Sequence, residues 1–324
     1  MKLIFADIRK SLGGAEIYFD YLYNDVSDLV NKKSWSLEKL IFNESDPFFS
    51  KIKSILAIKN TNVILNTPVL GVNIFWLTLL FIRNNVYLFP HIVVDHYTLK
   101  SKLPFFRNIF NRVSLRLAKG VFVISKGNFK VLKKLNPNVK YIYFPNYPRV
   151  LVSNDTNLDY RKFAVIGRFQ ERHKGQLNFL RKSFAKIKRN KFKILFFGSG
   201  EDEHYVRDFV EKNKLEKFVF FMGKLSVEDI FKYNFGHVIS CSNWEGLPLN
   251  LLEAYYHNRI VWGVPVLGVE ELIHHRFHIN DYTEPFNNVN ANMLYLYNSN
   301  REYVINNYNK TNTLNLFTIF LENL

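Results

Sequence analysis

The sequence predicts an α/β protein of two domains, each built on a parallel sheet, facing each other across a cleft. Three observations carry this. The chain has 324 residues, enough for two ordinary domains. Strand-like and helix-like segments alternate along both halves, the pattern of parallel βαβ units. A polar stretch without periodicity, NYPRVLVSNDTNLDYRK (146–162), holds Pro148 and reads as the linker between them. Hydrophobic residues make up 48% and charged residues 22%, which excludes a disordered chain.

In the first half MKLIFADI reads as a strand, followed by Gly13-Gly14 and a helix from Ala15. VILNT (63–67) is a strand, and PVLGVNIFWLTLLFI a buried helix after it. The apolar tract 72–82 within that helix contains Asn73 and ends at Arg83, too short to span a bilayer. VYLF, IVVDH and GVFVIS continue the strand series. The second half restarts the alternation with KFAVIGR. GQLNFLRKSFAKIK is amphipathic at helical spacing through Leu177, Leu180, Phe184 and Ile187. KILFFGSG, FVFFMG and HVISCS are further strands, with a charged helix after the first. PLNLLEAYYH is a helix with Pro248 suited to its first turn. These segments give two Rossmann-like domains, 1–148 and 149–324, with the tail from about 301 packing back on the first. The Asn-rich stretch 287–315 is the one biased tract.

Charge is unevenly placed. Residues 1–150 hold 22 Lys and Arg against 9 Asp and Glu, a net +13; residues 151–324 hold 22 against 19, a net +3. Between 96 and 149 there are 12 basic residues and no acidic one. So one-sided a stretch points to an anionic partner, and the ordinary alternative is a solvated basic face. KSKLPFFRNIFNRVSLRLAK within it places Phe105, Phe106, Ile109, Phe110, Val113 and Leu117 on one helical face, flanked by Lys100, Lys102, Arg107, Arg112 and Lys119. Such a helix either docks on an anionic membrane surface or packs on its own sheet. No zinc-finger, RRM or KH pattern supports a nucleic-acid partner, and none is expected. The single cysteine, Cys241, allows no internal disulfide and fits a reducing compartment. The start carries too short an apolar run for a secretory signal, so the expected location is cytoplasmic, with a peripheral place on the inner face of the membrane as an extension.

The chemistry concentrates in NWEGLPLNLLEAY (243–255), which spaces Glu245 and Glu253 on either side of a turn and a helix start. The unpaired N–H groups of a first helical turn form an anion site. Carboxylates on each side could hold hydroxyls of a sugar and a ribose, although such spacing alone more commonly marks an ordinary surface helix. GRFQERHKG supplies Arg168 and Lys174 directly after a strand. FFGSGED turns at Gly198 and Gly200, and FMGKL at Gly223.

This ordered set resembles glycosyltransferase family 4, the retaining transferases of the GT-B fold. The resemblance runs through Gly-Arg with a following Lys-Gly, a Gly-x-Gly turn, Phe-x-Gly, and Ser-x-x-Glu-Gly with a second Glu eight residues on. Ser242, Glu245, Gly246 and Glu253 fall on that last element. GVEELI (268–273), GGAE (13–16), VISK (123–126) and FPNYP (144–148) are similar to further family elements, and the likeness extends to about residue 275. Two places depart: the family's Gly after the pre-linker Asn is Tyr147, and its Gly-x-Pro before the next strand is Asn258-Arg259-Ile260.

The resemblance implies a hexose moved from a nucleoside-diphosphate sugar, a UDP-sugar ahead of GDP-mannose, to a glycan or lipid-linked acceptor of bacterial surface polysaccharide or lipopolysaccharide. It implies Arg168, Lys174, Glu245 and His96 as catalytic residues, with His91 the alternative to His96. Gly13, Gly14, Gly198, Gly200, Lys224, Leu225, Gly246, Leu247, Pro248, Leu249 and Glu253 would bind the donor. Glu253 would grip the ribose and Glu245 the sugar. No cofactor is expected. No Asp-x-Asp motif appears, and His274, His275 and His278 lack completing ligands, so no metal is expected either. The competing readings are a nucleotide-sugar epimerase of the same fold and a non-catalytic nucleotide-sugar-binding subunit.

Overall fold

A computed structural model describes residues 1–9, 14–43, 45–66, 74–90, 104–149, 157–287 and 291–324. Gly13, His91, His96 and the IVVDH segment lie outside these residues. The chain divides into two compact units, one of Met1–Asn146 with Lys310–Leu324, the other of Tyr147–Asn309.

The first unit holds a six-stranded, all-parallel sheet in the order β2-β1-β3-β4-β5-β6. The strands are β1 (Lys2–Arg9), β2 (Ser36–Asn43), β3 (Asn62–Asn66), β4 (Asn85–Phe89), β5 (Gly120–Val123) and β6 (Tyr141–Tyr143). Its helices are α1 (Gly14–Lys32), α2 (Phe48–Leu56), α3 (Ile74–Arg83), α4 (Pro104–Leu117), α5 (Lys126–Leu135) and the C-terminal α12 (Lys310–Glu322). Every residue of β3 is buried, as a parallel strand covered on both faces must be. One face packs Ile4, Val63, Leu88 and Val121 against Ile55 of α2, Leu80 of α3, Leu115 of α4 and Leu132 of α5. The other face is aromatic. Phe5 meets Phe19 of α1 and Phe317 of α12, and Phe122 meets Phe320.

The second unit carries a five-stranded, all-parallel sheet in the order β11-β10-β7-β8-β9. Its strands are β7 (Asp159–Ile166), β8 (Lys193–Phe197), β9 (Val219–Gly223), β10 (Phe235–Ser240) and β11 (Ile260–Gly263). The helices are α6 (Glu171–Lys174), α7 (Gln176–Asn190), α8 (Glu203–Lys212), α9 (Val227–Ile230), α10 (Leu249–Tyr256) and α11 (Ala291–Asn307). Leu177, Leu180 and Ile187 of α7 are buried as their spacing predicts.

Several readings need correction. The polar stretch read as linker to 162 already contains strand: β7 begins at Asp159, whose N–H donates to Asn234 O at 2.6 Å. Its polar end sits where the strand emerges from the sheet, so polarity there marks exposure, not irregular backbone. The Asn-rich tract forms all of α11 and the start of α12, because buried Tyr297, Val304 and Tyr308 anchor it. β2, β6, α2 and α5 are elements that the sequence reading does not assign, although α2 and α5 are amphipathic. The 72–82 tract is not buried throughout, since Ile82 is 71% exposed. At the departures from the family pattern, Tyr147 is fully buried. Asn258 adopts φ 56°, the left-handed turn a glycine would take, and Arg259 is buried with its guanidinium on the carbonyls of His257 and Phe231.

Candidate donor site in the second unit

In the second sheet β7 is central, with β8 and β9 on one side and β10 and β11 on the other. Chain order therefore reverses between β7 and β10. Ligands of open α/β sheets bind beyond the carboxyl ends of the strands at such a reversal, because the two following loops diverge there and leave a crevice. The loops in question are 167–175 after β7 and 241–248 after β10. They hold Arg168, Lys174 and Glu245; Glu253 follows in α10, and Lys224 lies apart, after β9.

Backbone contacts fix the two loops to each other. Asn243 N–H donates to His173 O at 2.7 Å, its side-chain amide donates to Arg172 O at 3.0 Å, and the Cys241 thiol donates to Lys174 O at 3.1 Å. His173 stacks on Trp244 with rings 4.7 Å apart and 6° from parallel, and its Nε2 donates to Trp244 O at 2.9 Å. Gly175 takes φ 65°, and a Cβ there would lie 2.5 Å from Cys241 O, so only glycine lets the loops approach this closely. Burial and the nearby Lys174 charge lower His173 to about 4, leaving it neutral at pH 7. Burial pushes the Cys241 thiol up to about 12, so it is no nucleophile at pH 7.

Two ion pairs organise the charge. Lys174 Nζ lies 2.5 Å from Glu245 Oε1. Burial drives the Glu245 carboxyl upward, but Lys174 and a hydrogen bond from Ser242 outweigh it and hold the group below its ordinary value. Glu253, 2% exposed, is gripped by Arg149 through Nε to Oε1 at 2.7 Å and Nη2 to Oε2 at 3.3 Å. Here burial prevails, and the carboxyl stays raised despite Arg149.

Of the two helix starts beside the loops, one is filled. Glu171 accepts from the N–H groups of Leu177 and Asn178 at 2.7 and 2.8 Å, closing the N-terminus of α7. At α10 Pro248 stands at the N-cap with no side-chain cap bond. The helix starts one residue later than the sequence reading, and the N–H groups of Leu249 and Asn250 open its first turn. Asn250 anchors it by donating to Ile166 O, at the end of β7, at 2.8 Å.

The structure brings together Lys174, Glu245, Gly246, Leu247, Pro248, Leu249 and Glu253. Arg168, on the loop after β7, is exposed. Gly198 and Gly200 have a packing reason of their own, since a Cβ would strike the carbonyls of Gly167 and Phe169 at 2.1 and 2.2 Å. They seat the loop after β8 against the loop after β7. Lys224 and Leu225 are exposed beyond β9, and Gly223 takes φ 71° in open space. Gly14 opens α1 in the first unit. Arg149 and His173 escaped the sequence reading. Arg149 lies in the presumed linker, and His173 reads as one more polar residue in QERHK; only a three-dimensional pairing distinguishes either. In the first unit Asn66 donates to Asp7 at 2.8 Å, a buried polar pair across β1 and β3 that the sequence also hides.

Among the described residues no group of three or more His, Cys, Asp or Glu could hold a metal ion, and no helix is long and apolar enough to cross a membrane.

No curated protein matches the chain at a significant level. Among solved structures, Alr3699/HepE of Anabaena in complex with UDP superposes with TM-score 0.75 at 15% identity, covering 100% of both chains. The sucrose-phosphate synthase of Thermosynechococcus elongatus gives 0.73 at 15%, covering 99% of this chain and 98% of that one. The lipopolysaccharide outer core galactosyltransferase WaaB gives 0.70 at 15%, covering 99% and 100%. The expected α/β fold with two parallel sheets is thus that of GT-B glycosyltransferase structures, and residues 149–296, which contain both ion pairs and the open start of α10, match the family model of glycosyl transferases group 1.

Proposed function

We propose that the protein is a retaining, metal-independent glycosyltransferase of family 4. It moves a hexose from a UDP-sugar to a glycan or lipid-linked acceptor in bacterial surface polysaccharide or lipopolysaccharide synthesis. GDP-mannose is the second donor class. Residues 1–148, with the tail 310–324 packed on them, form the acceptor side, and 149–309 the donor side. The observation that carries this is the Lys174–Glu245 pair beside the open N-terminus of α10, with Glu253 just over a turn into that helix. Alr3699/HepE was solved with UDP and with UDP-glucose, which supports a uridine donor for this chain. The single cysteine fits a cytoplasmic reaction.

Negative charge builds on the donor diphosphate as the glycosidic bond breaks. Lys174, Arg168 and the first N–H groups of α10 stabilise it, and such preorganised groups are typically worth about 3–4 kcal/mol each in the transition state. Glu253 accepts from the ribose hydroxyls, and Glu245 accepts from the sugar hydroxyls while steering Lys174. The acceptor proton passes to the departing phosphate, so Glu245 need not act as a nucleophile.

A thermal-shift series against UDP-, GDP-, ADP- and dTDP-sugars tests donor choice, because a ligand stabilises in proportion to its occupancy of the native state. Nuclear magnetic resonance of the product then reads the anomeric configuration. Donor consumption without an acceptor would favour epimerisation, and donor binding without turnover a non-catalytic subunit.

A further inference from the structure

The first unit separates charge by sheet face. Helices α2, α3, α4 and α5 cover one face through Ile55, Leu80, Leu115 and Leu132, and none of the four carries an Asp or Glu. From 47 to 149 the chain holds 16 Lys and Arg and a single acidic residue, Asp95. The helices of the other face, α1 and α12, hold five acidic residues and two lysines. Among the described residues of these helices, Lys53, Arg112, Arg116, Lys130, Lys133 and Lys134 are exposed, so the fold gathers part of the basic region onto one side.

Large apolar residues stand on the outside of that same side. Leu115 of α4 faces the sheet and is fully buried, whereas Ile109, Val113 and Leu117, spaced by four, are 41%, 41% and 42% exposed. Exposed Arg112 and Arg116 lie in the same outward stripe. On α2, Phe49 is 83% exposed and Phe48 49%; on α3, Ile82 is 71% exposed. α2 packs on α3 and α3 on α4, so these residues belong to neighbouring helices. Lys53, Lys119, Lys130, Lys133 and Lys134 are exposed around them. Of the two alternatives the sequence leaves for α4, packing on its own sheet is satisfied by Leu115 and leaves a second apolar stripe facing out.

We propose that this face docks on an anionic bilayer, its arginines and lysines meeting headgroup phosphates while Phe49, Ile82, Ile109 and Val113 enter the headgroup boundary. Apolar groups standing among cations fit a surface that is anionic outside and apolar beneath. A nucleic acid would satisfy the cations but leave the aliphatic stripe in water.

The test is flotation of the full chain with phosphatidylcholine vesicles, with and without phosphatidylglycerol, across a sodium chloride series. Binding should require phosphatidylglycerol and fall as salt screens the charges. Arg112→Gln with Arg116→Gln should weaken it roughly thirtyfold, and Ile109→Glu with Val113→Glu should abolish it. Both double variants change only exposed groups, so circular dichroism and nucleotide affinity should stay at wild type. Equal binding to both vesicles, binding to neither, or wild-type binding by both variants would overturn the proposal. So would binding to single-stranded RNA with no binding to vesicles.

Discussion

Arg149 grips Glu253 with both nitrogens of one guanidinium edge, at 2.7 and 3.3 Å, across 104 residues of sequence. The pair joins the start of the second unit to the helix that opens the donor site. Burial raises the Glu253 carboxyl, the Glu228 charge adds to that, and Arg149 opposes both. Arg149→Met therefore raises the carboxyl further and leaves it protonated at higher pH. A protonated carboxyl loses charged hydrogen bonds worth about 1.5–3 kcal/mol. UDP affinity of the variant should fall more steeply than that of the wild type as pH is lowered. Titration calorimetry over a pH series decides, and Arg149→Lys should restore much of the lost affinity.

Lys174 serves both Glu245 and, by our reading, the leaving diphosphate. Lys174→Met should slow transfer by about 10²–10³ and lower thermal stability, because Glu245 is left buried and unpaired. Adding Glu245→Gln removes that unpaired charge, so the double variant should regain melting temperature without regaining rate. Recovery of both would reduce Lys174 to a structural partner.

The two carboxylates should separate in ligand binding. Glu253→Ala should weaken UDP and UDP-sugar alike, by about 1.5–3 kcal/mol. Glu245→Ala should leave UDP affinity nearly unchanged and erase discrimination among UDP-hexoses. Calorimetry with UDP, UDP-glucose and UDP-galactose gives both quantities. Unchanged affinities in both variants would remove them from the donor site.

Acid should weaken the second unit early. Burial lowers His173 to about 4, His237 to about 3 and His257 to about 4, so all three are neutral in the fold and protonate readily once unfolded. The unfolded chain thus binds more protons between pH 6.5 and about 4, and stability falls as pH falls through that window. Glu245, held low, contributes further loss below its ordinary 4.5. Melting temperatures at pH 7.5, 6 and 5 should decline steadily. His237→Phe, which can keep the ring stacked on Phe163 at about the observed 4.4 Å, should flatten the decline.

Glycine substitutions should rank by what surrounds them. Gly175→Ala meets Cys241 O at 2.5 Å in a left-handed conformation, whereas Gly223→Ala meets only strain at φ 71° in open space. The second should cost about 1–2 kcal/mol. The first should cost more and disturb the loop carrying Lys174. Chemical denaturation of the two variants checks the order.

Period and punctuation were enough to read two α/β units with parallel sheets, because apolar runs of strand length and helices such as α7 are local patterns. The candidate site was legible where one segment carries its own charges: Glu245 and Pro248 lie in a single strand-to-helix turn, Glu253 in the helix that follows, and Lys174 soon after a strand. Elsewhere local pattern misled or fell silent. A polar strand start at Asp159 looks like linker, and the helix α11 looks like biased coil until Tyr297 and Val304 are seen buried. Arg149 and His173 gain meaning only from partners far along the chain, Glu253 and Trp244. Pairing, burial and the side of a sheet on which a charge falls depend on distances that sequence spacing does not encode. The sequence determined which residues were charged, apolar or turn-forming; the tertiary structure decided which charges met and which apolar residues were left facing outward.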